Sequence, residues 1–320
     1  MPHAATHERH AMERVRAIRY AIIGLAILLA GSAPGAPAAA PVAAGVTAAS
    51  AGGNLCAPAA SSGRAGPREP SAWKNPPIEE APDTGHPGFR ATIPVYFHVF
   101  TSGSEGRLSV TDLKQQINVL NTDYAGREGG FSTGFSFTYA GADYTDNSTW
   151  FNALDPGTSV ERTAKAETHV GDASVLNAWT TNGPSYLGFA TFPSWYKRSP
   201  QLDGVVLDYK SFLGGPFGDQ FSLGKTATHE IGHWLGLLHT FQGACNAKGD
   251  YVDDTPAEAT PTSGCPTNKD TCTAPGSDPV HNYMDYSFDS CYDQFTAGQA
   301  DRMHDQWAYF RADGGTAVGT

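Results

Sequence analysis

The sequence predicts an α+β fold, because strand-like and helix-like periodicities occupy its middle and an irregular, cysteine-rich stretch follows them. Apolar and polar residues alternate in ATIPVYFHVF, residues 91–100, as they do in a half-buried strand. Apolar residues then recur at helical spacing within SVTDLKQQINVLNTDY, residues 109–124. From Thr240 to Tyr292 the chain is rich in Asp, Pro, Gly and Cys and has no regular period. Strands and helices are therefore expected first, and then a loop-rich half that one helix closes.

The individual elements follow from local signals. Ser109 precedes the first helix, whose apolar face comprises Val110, Leu113, Ile117 and Leu120. FSFTYAGADY and GVVLDY have the composition of strands, and GFATFP is expected as a short strand that Pro193 stops. A helix is predicted from Ser222 to Leu238. The last helix is FTAGQADRMHDQWAYFR, with Thr296 as N-cap and an apolar face of Met303, Trp307 and Phe310.

The amino-terminal residues carry a targeting signal. Arg14, Arg16 and Arg19 precede the short apolar run Tyr20–Ala30, and the small-residue stretch GSAPGAPAAA follows it. A membrane anchor is the alternative, but about 18–20 apolar residues are needed to span a bilayer and this run is shorter. We therefore interpret residues 1–40 as a cleaved signal peptide, which predicts a secreted protein without stable membrane association.

The next stretch, residues 41–90, is rich in Ala, Pro, Gly and Ser and lacks a strong period, so it is interpreted as a pro-segment or linker. The folded domain is expected over residues 91–320. Activation would then begin the mature chain between Arg64 and Ala91, with cuts available after Arg64, Arg68 or Arg90. The formal net charge is −11 and no basic stripe occurs, which argues against nucleic acid as a partner. A monomer is favoured.

The most informative segment is THEIGHWLGLLH, residues 228–239. His229 and His233 are four residues apart, so one helical turn places both imidazoles on the same face, with Glu230 beside them. Gly236 allows a sharp turn that swings His239 back toward the same ion. Three neutral imidazoles leave a coordination position for water, as in catalytic zinc sites. The segment therefore predicts one catalytic Zn²⁺ with Glu230 as general base.

This zinc chemistry leaves three classes of function open. An endopeptidase is favoured, because the rim segment GFATFP suits an extended peptide. A zinc hydrolase of non-peptide amides or esters would use the same chemistry. A catalytically dead binding module is the third class, although such a module would not need Glu230.

Several motifs together resemble the pappalysin family, especially its small microbial members. They are HEIGHWLGLLHTF, GDYVDDTPAE, NYMDYS and FTAGQ, and the resemblance covers roughly residues 92–311. It implies a metzincin-type fold, with a twisted mixed sheet above an active-site helix and an irregular lower subdomain. It also implies that Met284, in a tight turn, forms the floor beneath the three His ligands, and that Tyr286 stabilises the oxyanion.

The resemblance has further implications for the lower subdomain. Four of the five cysteines lie there, and three pairings are open from the sequence alone. A four-cysteine zinc site would need CxxC spacings, which are missing. The resemblance favours the pairs Cys245–Cys272 and Cys265–Cys291. It also implies structural Ca²⁺ near a run of oxygen ligands, although a solvated acidic loop is the alternative: Asp250, Asp253, Asp254 and Thr255.

Two single residues carry the remaining hypotheses. Cys56 lies in the pro-segment, where it is either an inert free thiol or a zymogen switch whose thiolate occupies the metal's fourth position; it lies too far from the apolar run for a lipoprotein cysteine. Asp289 lies between the turn methionine and Cys291, where a pinned chain would form the wall of the primed-side pocket. An unpaired carboxylate there would favour Arg, then Lys, after the cut, which the resemblance also implies. A solvated turn residue is the alternative.

Overall fold

The structure, a computed structural model, describes residues 79–183, 186–246 and 249–315, and these belong to one compact unit. It has five strands: β1 Ala91–Thr101, β2 Phe135–Asp146, β3 Leu176–Thr181, β4 Gly188–Ala190 and β5 Val205–Asp208. They form one sheet in the order β2-β1-β3-β5-β4. Only β4 runs antiparallel to its neighbour, β5, and it lies at the sheet edge. The α+β class and the mixed sheet are thereby confirmed.

Five α-helices accompany the sheet in the described part of the chain: α1 Val110–Asp123, α2 Ser148–Ala153, α3 Ser159–Thr168, α4 Lys225–Trp234 and α5 Ala297–Phe310. Ser109 caps α1 through a capping box with Asp112. Thr296 caps α5 in the same way with Gln299. Two of the three apolar α5 residues, Met303 and Phe310, are buried in accordance with the predicted face.

The pattern of the sequence missed β3, α2 and α3. Every residue of β3 is buried, so its sequence LNAWTT shows no alternation of apolar and polar residues. Helices α2 and α3 contain 6 and 10 residues, too few for a clear helical period. Because β3 is the central strand, its omission hid the order of the sheet.

The main core lies between the sheet and helices α1, α4 and α5. Phe97 of β1, Leu120 of α1, Ile231 of α4 and Met303 of α5 are all buried in it. The turn methionine Met284 belongs to the same cluster. The active-site helix is therefore packed on apolar side chains that fix its position under the sheet.

None of the described helices is long and apolar enough to cross a membrane. The signal peptide and Cys56 lie outside the described residues.

The predicted helix Ser222–Leu238 is wrong at both ends. It begins at Lys225, after Gly224 with a φ of 84°, and it ends at Trp234. At its amino terminus Oδ2 of Asp289 accepts hydrogen bonds from the backbone N–H groups of Leu223 and Lys225, at 2.9 and 3.3 Å. A carboxylate at this position satisfies amides that have no partner within the helix. The start of α4 is thus set by a residue far away in sequence.

Candidate active site

The three predicted histidines meet at one point beneath the sheet. The Nε2 atoms of His229, His233 and His239 are 3.1–3.2 Å from one another, and all three side chains are buried. Three ligands of a tetrahedral ion, each about 2.0–2.1 Å from the metal, would be about 3.3–3.4 Å apart. The imidazoles therefore fit a single metal ion without rearrangement.

Backbone carbonyls orient two of these rings. His229 donates from Nδ1 to the carbonyl of Tyr283 at 2.6 Å, and His233 donates from Nδ1 to the carbonyl of Leu237 at 2.7 Å. With the proton on Nδ1, each Nε2 presents its lone pair to the ion. The sequence could not reveal these partners, because every residue has a carbonyl group.

Gly236 makes the turn that separates the second ligand from the third. Its φ is 101°, a backbone conformation that side-chain-bearing residues rarely adopt. A Cβ there would also lie 2.5 Å from Cγ of Gln306. The turn brings the Leu237 carbonyl to His233 and directs the chain back so that His239 reaches the site. The predicted role of Gly236 matches this geometry.

Glu230 lies between the ligands and the edge of the sheet. Its side chain is buried, and a Cβ on Gly188 would be 2.7 Å from its Cγ and 2.8 Å from Oε1. The backbone of β4 thus passes directly over the carboxylate. A peptide extended along this edge would place its carbonyl groups beside Glu230 and the imidazoles.

Met284 lies directly below the active-site helix. It is fully buried, and a Cβ on Gly232 would be 2.4 Å from its Sδ. The turn is held by a buried pair of side-chain amides, in which Asn282 and Gln299 exchange hydrogen bonds of 2.8 and 2.9 Å. Met284 therefore lies against the turn of the active-site helix that contains both His229 and His233.

Tyr286 packs beside the imidazoles. Its ring centroid is 4.8 Å from that of His239 and 5.8 Å from that of His229. Phe241 packs against both Tyr286 and His239, at 4.8 and 4.5 Å between centroids. The tyrosine is thus fixed at the rim of the metal site.

A pocket that is partly open to solvent lies beside the imidazoles. It is lined by residues of α4, by one residue before β4 and one before α4, and by the segment after the methionine turn: Leu187, Phe221, Lys225, Thr226, His229, Glu230, Ser287, Asp289 and Tyr292. Asp289 is buried, and burial raises the pKa of its carboxyl group to about 7. The expectation of an unpaired carboxylate is wrong for Oδ2, which caps α4, and the alternative of a solvated turn residue is wrong as well.

Lys225 also lines this pocket, and its positive charge is paired with two carboxylates outside the pocket lining. Its ammonium group lies 2.7 Å from Oδ1 of Asp123 and also pairs with Glu128. Two carboxylates therefore surround one ammonium group, so the positive charge of Lys225 is shared among Asp123, Glu128 and Asp289. No local pattern indicates this cluster, because Lys225 is about a hundred residues from both partners.

The cysteine pairs match the implication of the resemblance. Cys245 bonds to Cys272 and Cys265 bonds to Cys291. The second bridge ends next to Asp289 and anchors the pocket wall to the loop that contains Cys265. The imidazole of His281 lies against this bridge, with its Nδ1 at 3.6 Å from Sγ of Cys291.

The oxygen-rich run proposed for calcium is occupied with protein contacts. Asp250 accepts from the Thr255 hydroxyl at 2.8 and 2.9 Å and from the Val252 amide. Asp254 accepts from the Thr296 hydroxyl and the Gly298 amide. Within the described ranges, only the histidine triad and Cys265–His281–Cys291 form clusters of three or more potential ligands from His, Cys, Asp and Glu. The carboxylates of Asp250, Asp253 and Asp254 do not form such a cluster.

A buried acid below the site was missed altogether. Glu258 is fully buried, accepts from the hydroxyl of Thr240 at 2.7 Å and pairs with Lys269. Burial raises its pKa to about 7. Thr240 follows the ligand His239 directly and donates its amide to the Met284 carbonyl at 3.2 Å. Glu258 thus connects the lower subdomain to the third ligand. The only sequence signal was its place at the end of GDYVDDTPAE.

The fold and the three-imidazole site together define a metzincin-type metallopeptidase. A family model described as pregnancy-associated plasma protein-A, peptidase M43, matches residues 173–308. An extracellular metalloprotease of Pyricularia oryzae is 45% identical over 226 residues, which cover 69% of this chain and 76% of the relative. One from Neurospora crassa is 42% identical over 234 residues, with the same coverage of 69% and 76%.

Solved structures agree with these relatives. Mature mirolysin of Tannerella forsythia, in complex with a cleaved peptide, matches with a TM-score of 0.60 and 30% identity, over 72% of this chain and 94% of that one. A promirolysin mutant matches with a TM-score of 0.61 and 28% identity, over 73% and 84% of the two chains. The chain therefore belongs to the peptidase M43, or pappalysin, family and is a metalloendopeptidase.

Proposed function

We propose that this protein is a secreted zinc endopeptidase, made as a latent precursor, that prefers Arg and then Lys on the C-terminal side of the cut. The observation that carries the zinc assignment is the triangle of Nε2 atoms at 3.1–3.2 Å, with Glu230 on the adjoining helical position. The names of the fungal relatives, all extracellular metalloproteases, support secretion.

The chain's own residues divide the work of peptide hydrolysis. A zinc ion held by the three imidazoles would supply a Lewis acid that polarises the scissile carbonyl and lowers the pKa of water. Glu230 takes the proton of the attacking water and passes it to the leaving amine. Tyr286 donates toward the developing oxyanion from its place beside His239. The edge of β4 binds the substrate as an added strand and holds its carbonyl over Glu230.

Specificity is assigned to Asp289. It lines the pocket that also contains Glu230 and His229, so a side chain just after the cut would enter beside its carboxylate. The Lys225 charge is shared among three carboxylates, which leaves the pocket with an acidic wall. Because Oδ2 caps α4, Oδ1 is the atom of this carboxylate to which a guanidinium or an ammonium group of the substrate would donate.

A peptide library tests the specificity. The wild-type enzyme should cut before Arg, then before Lys, and chelation of zinc should abolish all cuts. Asp289→Asn should lower kcat/KM for Arg substrates at least about tenfold relative to uncharged ones, since a charge-assisted hydrogen bond is lost. Asparagine still caps α4, so the fold is kept. Asp293→Asn, which removes a nearby charge outside the pocket lining, is the matched control. Cleavage by the wild type without a basic residue after the cut would refute the preference.

Latency and calcium are proposed separately. The solved promirolysin supports a precursor form for this relative, and Cys56 is the candidate switch here. Cys56→Ser should give a precursor that is active or degrades itself, and an equally latent variant would make Cys56 an inert thiol.

Structural Ca²⁺ near Asp250 and Asp254 rests on the family resemblance. If the melting temperature is the same in the presence of calcium and in the presence of a calcium-selective chelator, the proposed calcium site is refuted.

A further inference from the structure

The segment before the first strand packs along helix α5. The carboxylate of Glu80 accepts two hydrogen bonds from the guanidinium group of Arg302, at 2.7 and 3.3 Å. One helical turn further, Oδ1 of Asp305 accepts from the Thr84 amide at 3.2 Å and lies 3.1 Å from Nε2 of His86. Two successive turns of α5 are thus bound by residues that the sequence placed in the pro-segment.

An apolar contact anchors the end of this segment. The ring of Phe89 stacks on that of His304 with centroids 4.0 Å apart and lies 4.9 Å from Phe135 of β2. Phe89 packs against the main core, and the amide of Ala91 continues into a hydrogen bond with Gly134. Residues 79–90, which we name the amino-terminal strap, are largely exposed but are held on the folded domain at four points: Glu80, Thr84, His86 and Phe89.

Arg302 links the strap to the metal site. Its Nε donates to the carbonyl of Gly236 at 2.9 Å, while its two terminal nitrogens hold Glu80. Gly236 is the turn that presents the Leu237 carbonyl to His233 and directs the chain to His239. The Arg302 side chain is only 9% exposed, and the ring of Tyr251 lies 5.7 Å from its guanidinium carbon. A planar guanidinium group fixed by Glu80 has its Nε aimed at the turn between the second and third ligands.

We propose that the strap remains on the mature enzyme and that Arg302 is a positioning residue through which Glu80 holds the Gly236 turn and thereby the zinc ligands. The activating cut then falls before Glu79, as a cut after Arg64 or Arg68 would, whereas a cut after Arg90 would remove the strap. This proposal rests on the proposed zinc site.

Zinc retention of the processed full-length protein tests this role. Glu80→Gln should release zinc to a chelator about two- to fivefold faster, the effect of losing a partly exposed ion pair. Arg302→Gln should accelerate release about tenfold, because the charge-assisted bond to Gly236 is lost as well. Glu79→Gln removes the same charge from the neighbouring exposed residue and should behave as wild type. In the Arg302→Gln background, Glu80→Gln should add nothing.

Each alternative has its own signature. Elemental analysis of the wild type tests the zinc site by itself: a protein without zinc would refute that site and this role of Arg302 with it. A zinc-loaded wild type in which Glu80→Gln releases zinc at the rate of Glu79→Gln would overturn the strap alone. So would a lowered melting temperature of Glu80→Gln without faster zinc release at 25 °C, because a merely structural role gives that result. Amino-terminal sequencing of the active species should find a start before Glu79, and a start at Ala91 would contradict the proposal.

Discussion

Replacement of Gly236 by alanine perturbs the site through the backbone, and its cost follows from two features of the structure. At a φ of 101° an alanine would be strained by about 1–3 kcal/mol. Its Cβ would lie 2.5 Å from Cγ and 2.9 Å from Cβ of the buried Gln306, an overlap that typically costs about 1–3 kcal/mol. The lower entropy of the unfolded alanine chain returns about 0.4–1 kcal/mol. The expected net destabilisation is about 1–5.5 kcal/mol, combined with weaker zinc binding.

Urea unfolding of the zinc-loaded protein and a zinc competition titration measure the two effects. Gly214→Ala is the matched control, because its φ is 80° and no atom lies within 4 Å of the added Cβ. It should cost only the backbone strain and leave zinc affinity unchanged. Gln306→Ala in the Gly236→Ala background should recover part of the stability, since it removes Cγ but leaves the closely placed Cβ. If Gly236→Ala were no more destabilising than Gly214→Ala and bound zinc normally, the assigned role of the turn would be refuted.

Three further changes test other parts of the account. Burial raises the pKa of Asp289 to about 7, so the ionised fraction of its carboxyl group grows as the pH rises through 7. The ratio of kcat/KM for Arg substrates to kcat/KM for uncharged substrates should rise with this fraction. A ratio that stays constant from pH 5.5 to 8.5 would contradict the assignment. Removing the bridge between Cys245 and Cys272, 27 residues apart, by double substitution with serine should lower the free energy of unfolding by about 3–4 kcal/mol in urea, and unchanged stability would be the contrary result. Gln299→Ala should lower the free energy of unfolding by about 1–3 kcal/mol, because it leaves the buried side-chain amide of Asn282 without its partner. Unchanged stability in the same urea assay would show that this pair does not hold the methionine turn.

The part of the site that could be predicted is the part that is local in sequence. His229, Glu230 and His233 share one helical turn, and Gly236 is the only glycine between His233 and His239, where the chain must reverse. Spacing and chemistry were therefore sufficient for the ligands. Capping was equally local at Ser109 and Thr296, and both caps are present.

The remainder depends on contacts between distant segments. The start of α4 is set by Asp289, 64 residues after Lys225, so helical periodicity placed it too early. The pairing of Lys225 with Asp123 spans 102 residues. Strand β3 is buried on both faces and lacks the alternation that marks a half-buried strand. The strap was assigned to a pro-segment on composition, and composition does not reveal that Glu80 meets a residue 222 positions later.

The most direct test of the central claim is the zinc content of the purified mature enzyme, measured together with peptide hydrolysis in wild type and two variants. Wild type should contain one zinc per chain and cleave peptides. Glu230→Ala should keep the zinc but lose nearly all turnover, because no base takes the proton of the attacking water. His239→Ala should lose both zinc and activity. Substantial turnover by Glu230→Ala, or full zinc occupancy in His239→Ala, would contradict the assignment of these residues as base and ligand.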